Sequence, residues 1–160
     1  MLFIYNRFLF MQFKKLTDPK PFELADYVKA FLELHKHDTV RIYLGCDSHN
    51  RYKTTYATTI VFNINSTGCH VIYKKESVPL IPDMWTRLWG ETERSVETAL
   101  YLRKHGIEID TIDLDYNNNP EHKSNKLVSA ARGYVESLQF KARIKPDLLP
   151  AVYAADHIVS

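Results

Sequence analysis

The chain reads as a single α/β domain. A mixed five-stranded sheet, built from a three-stranded antiparallel meander plus two further strands, is flanked by helices and preceded by an N-terminal helix. Three observations predict this. Between Val40 and Glu76, three segments of strand character are joined only by short polar turns. Beyond Pro79, long segments of helical period alternate with short apolar ones. An apolar fraction of 45% and a charged fraction of 25% over 160 residues are those of a globular chain able to bury one core.

The elements follow in order. MLFIYNRFLFM, residues 1–11, is apolar but lacks a basic start and a small-residue cleavage site, so it does not read as a signal peptide. It is expected either to precede a domain opened by Met11 or to pack on that domain. Thr17-Asp18-Pro19 predicts a helix start, and Phe22, Ala25, Val28, Phe31, Leu32 and His35 form the stripe that carries the helix to about residue 37. Residues 1–39 are thus an extension and helix packed on a domain of residues 40–160. Val40–Cys46 alternates as a strand, and the Thr-, Tyr- and Val-rich stretch 52–64 is a second. After the turn Asn65-Ser66-Thr67-Gly68, residues 69–76 return as a third. Pro79 and Pro82 break the chain, and residues 83–105 form a long helix closed by Gly106. A fourth strand covers 107–116, a helix about 123–138 and a fifth strand 140–144. Pro146 and Asp147 open a last helix bearing Leu149, Val152, Tyr153 and Asp156.

Several function classes are excluded. No apolar run reaches membrane-spanning length. Cys46 and Cys69 have no CxxC spacing; they read as free buried thiols in a reducing cytosol, which predicts a cytoplasmic protein. With His70 they match no zinc spacing. The glycine-rich phosphate loop, the nucleophile elbow and the deaminase signature are all missing, so phosphate chemistry here would be metal-based.

The acids carry the remaining signal. Asp47 ends the first strand in IYLGCDSHN, and Asp115 lies near the end of the fourth in IDLDYNNNP. In the long helix the apolar stripe is Trp85, Leu88, Trp89, Val96, Ala99 and Leu100. Glu93 follows Trp89 by four and precedes Val96 by three, which predicts that it borders this stripe. Glu91 and Glu97 read as surface residues. Asp156 follows Leu149 by seven and Val152 by four, on the inner side of the last helix. Asp113, on the same strand face as Asp115, competes with it, and His49 and His157 adjoin Asp47 and Asp156 as auxiliary candidates. Carboxylates near a core cost several kcal/mol unless paired or metal-bound. A cluster of them suits Mg²⁺ or Mn²⁺, hard cations that take oxygen ligands.

The order of strands and acids resembles the ribonuclease H-like superfamily. More narrowly, GCDSH, YATTIVF, RLWGETERSVETAL, IDLDYN and AADHI are similar to the YkuK-type bacterial family of predicted nucleases. The resemblance covers about residues 40–160. It implies two metal ions, Mg²⁺ or Mn²⁺, held by Asp47, Glu93, Asp115 and Asp156 as catalytic and ligand residues, and hydrolysis of phosphodiester bonds in a nucleic acid. His49 stands where the family's first motif usually has glutamine.

Between His122 and Pro146 six Lys or Arg face one acid, Glu136. Of these, Lys123, Lys126, Arg132, Lys141 and Arg143 are the predicted contacts to the nucleic-acid backbone, without sequence readout. Two other readings compete: a non-catalytic module on the same fold that binds nucleic acid or protein, and a small-molecule phosphohydrolase with a closed pocket.

Overall fold

The computed structural model describes residues 10–117 and 119–160. The alternatives for the apolar start therefore lie, for residues 1–9, outside the described residues. The elements are β1 (Gln12–Lys15), β2 (Phe22–Glu23), α1 (Leu24–Leu34), β3 (Val40–Asn50), β4 (Thr54–Ile64), β5 (Gly68–Val78), α2 (Met84–Lys104), β6 (Thr111–Asn117), α3 (Asn125–Ser137), β7 (Ala142–Lys145) and α4 (Pro150–Val159).

One mixed sheet runs in the order β2-β1-β5-β4-β3-β6-β7. β3, β4 and β5 form the antiparallel meander, while β6 and β7 add in parallel beside β3. The expected five strands are thus seven. The additional two come from the segment before the helix, where Lys14 pairs with Tyr73 on the edge of β5 and Phe13 is fully buried. Strands of four and two residues are too short to show a period in sequence. The first helix also begins later than Thr17. Asp18 accepts from the Lys20 amide in a turn, and the helix is capped by Glu23, which accepts from the Asp26 amide at 2.7 Å.

The sheet has two unlike faces. On one, Ile42, Leu44, Ile60, Phe62 and Ile72 form the main core with Val28 of α1, Val96 and Leu102 of α2, and Val128 and Val135 of α3. On the other, α4 crosses β3 and β4 through small side chains, with Ala155 and Val159 on Ala57. Gly45 permits this approach: a Cβ there would stand 2.9 Å from the Cβ of Ala151 and from the amide nitrogen of Val152. The Thr59 hydroxyl donates to the Ala151 carbonyl at 2.5 Å, fixing the first turn of α4 on the strand.

Gly106, at φ +77°, ends the run of α2 in the left-handed conformation that glycine adopts freely. Among the described residues, no helix is long and apolar enough to cross a membrane. Cys46 is buried as expected, but Cys69 is exposed on β5.

Candidate functional site

Register brings the strand acids together. β3 and β6 run parallel with Gly45 opposite Asp113. Two residues further along both strands, on the same face, stand Asp47 and Asp115. Asp156 comes from α4, and the three acids line one pocket of about 440 Å³, together with Lys145, Leu148 and Tyr153. The Asp47 carboxyl is pushed up to about 7. Burial is the main cause, offset by a hydrogen bond from the Ser48 amide and reinforced by the charges of Asp115 and Asp156. Asp156 acts on Asp47 both by its charge and by side-chain contact.

On α2 the acid that lies beside the strand acids is Glu91, whereas Glu93, expected there, is exposed. Trp85, Leu88 and Trp89 are only half-buried, and Trp89 packs on Tyr134 of α3. The face of α2 that meets the sheet most closely carries small residues, among them Gly90, Ser95, Thr98 and Ala99. Its phase turns Glu91, 6% exposed, toward the strand ends and leaves Glu93 in solvent. Glu91 accepts a hydrogen bond from the Ser48 hydroxyl. Burial raises its carboxyl well above the usual range; the Ser48 bond opposes this, and the charges of Asp47 and Asp115 add to it. A sequence signal existed: Glu91 precedes Ser95, Thr98 and Ala99 by four, seven and eight residues, the spacing of one helical face. Weighting only large apolar residues conceals it.

Asp113 is committed elsewhere. It is 1% exposed, accepts from Arg143 Nε at 2.9 Å and from the Ala151 amide at 3.1 Å, and pairs with Arg143 Nη2 at 2.7 Å. It joins β6, β7 and the start of α4. Arg143, whose guanidinium also lies 4.5 Å from the Tyr43 ring centroid, is consequently not a free cation for a polyanion. This corrects the expectation for that residue: a buried carboxylate draws the guanidinium inward. Arg132 stands 3.9 Å from Glu136, and the Lys145 ammonium contacts Asp115. Lys123, Lys126 and Lys141 remain exposed. His157 is exposed beside Asp156, and His49 is exposed two residues beyond Asp47 on the same face.

Asp47, Glu91, Asp115 and Asp156 form one electrostatic group, with Asp115 and Glu91 also lining a small space behind the pocket. Among the described residues, no three His, Cys, Asp or Glu side chains are already arranged to hold a metal ion. The Ser48 hydroxyl bonds Glu91, and the Lys145 ammonium contacts Asp115. The donor set consists of carboxylate oxygens, and the burial and neighbouring like charge that together raise Asp47 and Glu91 are what a divalent cation offsets.

No curated protein and no solved structure matches the chain. The family model described as Ribonuclease H-like matches residues 23–159, from the capping residue of α1 to the last residue of α4. That span holds the meander, both parallel strands and all four clustered acids, and the chain belongs to the ribonuclease H-like superfamily.

Proposed function

We propose that the protein is a phosphodiester hydrolase acting on nucleic acid with Mg²⁺ or Mn²⁺. The observation that carries this reading is the convergence of four acids, from β3, α2, β6 and α4, on the end of the sheet in a chain of this superfamily. Asp47 stands centrally, with Glu91 and Asp115 on one side and Asp156 on the other, and these residues would hold two ions. When bound, such ions stabilise both the attacking and the leaving oxygen of phosphodiester displacement. The protein's own residues supply the rest. Ser48 fixes the Glu91 carboxyl, and the Arg87 guanidinium in turn donates to the Ser48 carbonyl at 3.1 Å. Lys145 sits on the pocket wall, where its ammonium neutralises Asp115 in the metal-free protein and meets an incoming phosphate. Lys123, Lys126 and Lys141 offer further contacts to a backbone, without sequence readout.

A binding module without catalysis is the second reading. It is favoured by the satisfied contacts of Glu91 and Asp115 in the metal-free arrangement. The separating experiment incubates labelled RNA, DNA and hybrid oligonucleotides with the native protein and with Asp115→Asn, in Mn²⁺. Cleavage by the native protein, lost by several orders of magnitude in the variant while binding persists, is the expected outcome. Binding without cleavage by either protein favours the module.

A further inference from the structure

A second cleft lies at the end of the β3–β4 hairpin. Register sets His49 opposite Thr55 and Thr55 opposite Ser77, one row across three strands. This row is on the α4 face, next to the row of Asp47, Ala57 and Lys75, a step of about 7 Å along the strands. α4 covers Ala57 and ends at Val159, leaving beyond it a cleft of about 300 Å³.

The chemistry of this cleft is opposite to that of the acidic pocket. Arg51, Lys53 and Lys75 line it, and among the described residues no carboxylate side chain does. Lys75 donates to the Ile158 carbonyl at 3.3 Å and Arg51 to the main-chain oxygen of Ser160 at 3.2 Å, so both cations lie over the helix end. The hydroxyls of Thr55 and Ser77 lie 2.9 Å apart on the floor. At the tip, between Arg51 and Lys53, Tyr52 is 99% exposed. Three cations with no acidic side chain among them attract backbone phosphate, and a bare aromatic ring stacks on an unpaired base. Duplex bases, already stacked on one another, leave such a ring unused.

We infer that this cleft holds a backbone phosphate of single-stranded nucleic acid, with Tyr52 stacked on a neighbouring base, and so feeds the strand to the acidic pocket one row away. The inference rests on the phosphodiesterase reading of that pocket, which gives one strand a reason to reach both places.

Fluorescence anisotropy tests it, with labelled single-stranded and duplex oligonucleotides in EDTA, across a salt series. The native protein is expected to bind single strands at least about tenfold more tightly than duplex. The double variant Arg51→Ala/Lys53→Ala loses about tenfold in affinity and about 1.4 units of log–log salt slope, for two phosphate contacts on a single strand. Tyr52→Ala weakens single-strand binding and leaves duplex binding unchanged. Lys29→Ala/Lys36→Ala, on exposed positions of α1 and just past it, removes the same charge elsewhere and serves as control. If the two double variants behave alike, if duplex binds as well as single strand, or if no oligonucleotide binds, the cleft assignment is overturned. The two readings fail separately. Cleavage in Mn²⁺ with an unchanged KM in Arg51→Ala/Lys53→Ala removes the cleft and keeps the phosphodiesterase. A lowered salt slope with no cleavage of any oligonucleotide removes the phosphodiesterase and keeps the cleft.

Discussion

Glu91 and Glu93 stand two residues apart on α2 and have opposite surroundings, which makes them a matched pair for experiment. Glu91 is buried against Ser48 beside Asp47 and Asp115, whereas Glu93 is solvated. Glu91→Gln is predicted to abolish metal-dependent cleavage and to shrink the rise in melting temperature on adding Mn²⁺. Glu93→Gln should stay within about 0.5 kcal/mol of the native stability and leave both properties alone. Calorimetry with and without metal measures the contrast. Asp47 adds a pH dependence. An unfolded aspartate loses its proton near pH 4, but the folded one holds it to about 7. Between those values the folded chain binds the extra proton, so metal-free stability falls as pH rises from about 4 to about 7. Below that window the contribution is fully present. Urea unfolding in EDTA at several pH values should register this decline, and Asp47→Asn should flatten it.

At the level of elements, α4 decides whether Asp156 reaches the site. Its first turn is clamped by Thr59, by Asp113 and by the absence of a side chain at Gly45. Gly45→Val forces the helix from the strand and should cost about 1–3 kcal/mol of overpacking. It should also weaken the metal response, because Asp156 moves with the helix; melting curves in EDTA and Mn²⁺ separate the two effects. Arg143→Ala strands Asp113 as a buried charge and should cost about 3–5 kcal/mol. Its expected readout is therefore lost stability in urea, ahead of any change in nucleic-acid affinity. The elements were largely legible in sequence because their signals are local: strand alternation, the prolines at 79 and 82, and Gly106. The phase of α2 was not, because the close packing of Gly90, Ser95 and Ala99 against the sheet is a tertiary fact. Nor was the fate of Arg143, whose partner lies thirty residues away on a neighbouring strand.

For the whole molecule, the sheet places opposite charge on neighbouring patches of one face. The acidic pocket lies at the junction of β3, β6 and α4, and the basic cleft at the hairpin end. Asp47 and Asp115 were readable as strand-end acids, but only the parallel register of β3 and β6 makes them neighbours. The edge strands β1 and β2 extend the same sheet away from the site. Phe13→Ala should cost about 3–5 kcal/mol by opening a cavity in the main core, with the metal response retained. The central claim is that Asp47, Glu91, Asp115 and Asp156 together hold divalent metal. Anomalous diffraction from crystals soaked in Mn²⁺ addresses it most directly. Peaks are expected among these four carboxylates, with Asp47 touching the strongest and Glu93 touching none. A soaked crystal with manganese elsewhere on the molecule and none at Asp47 would contradict it.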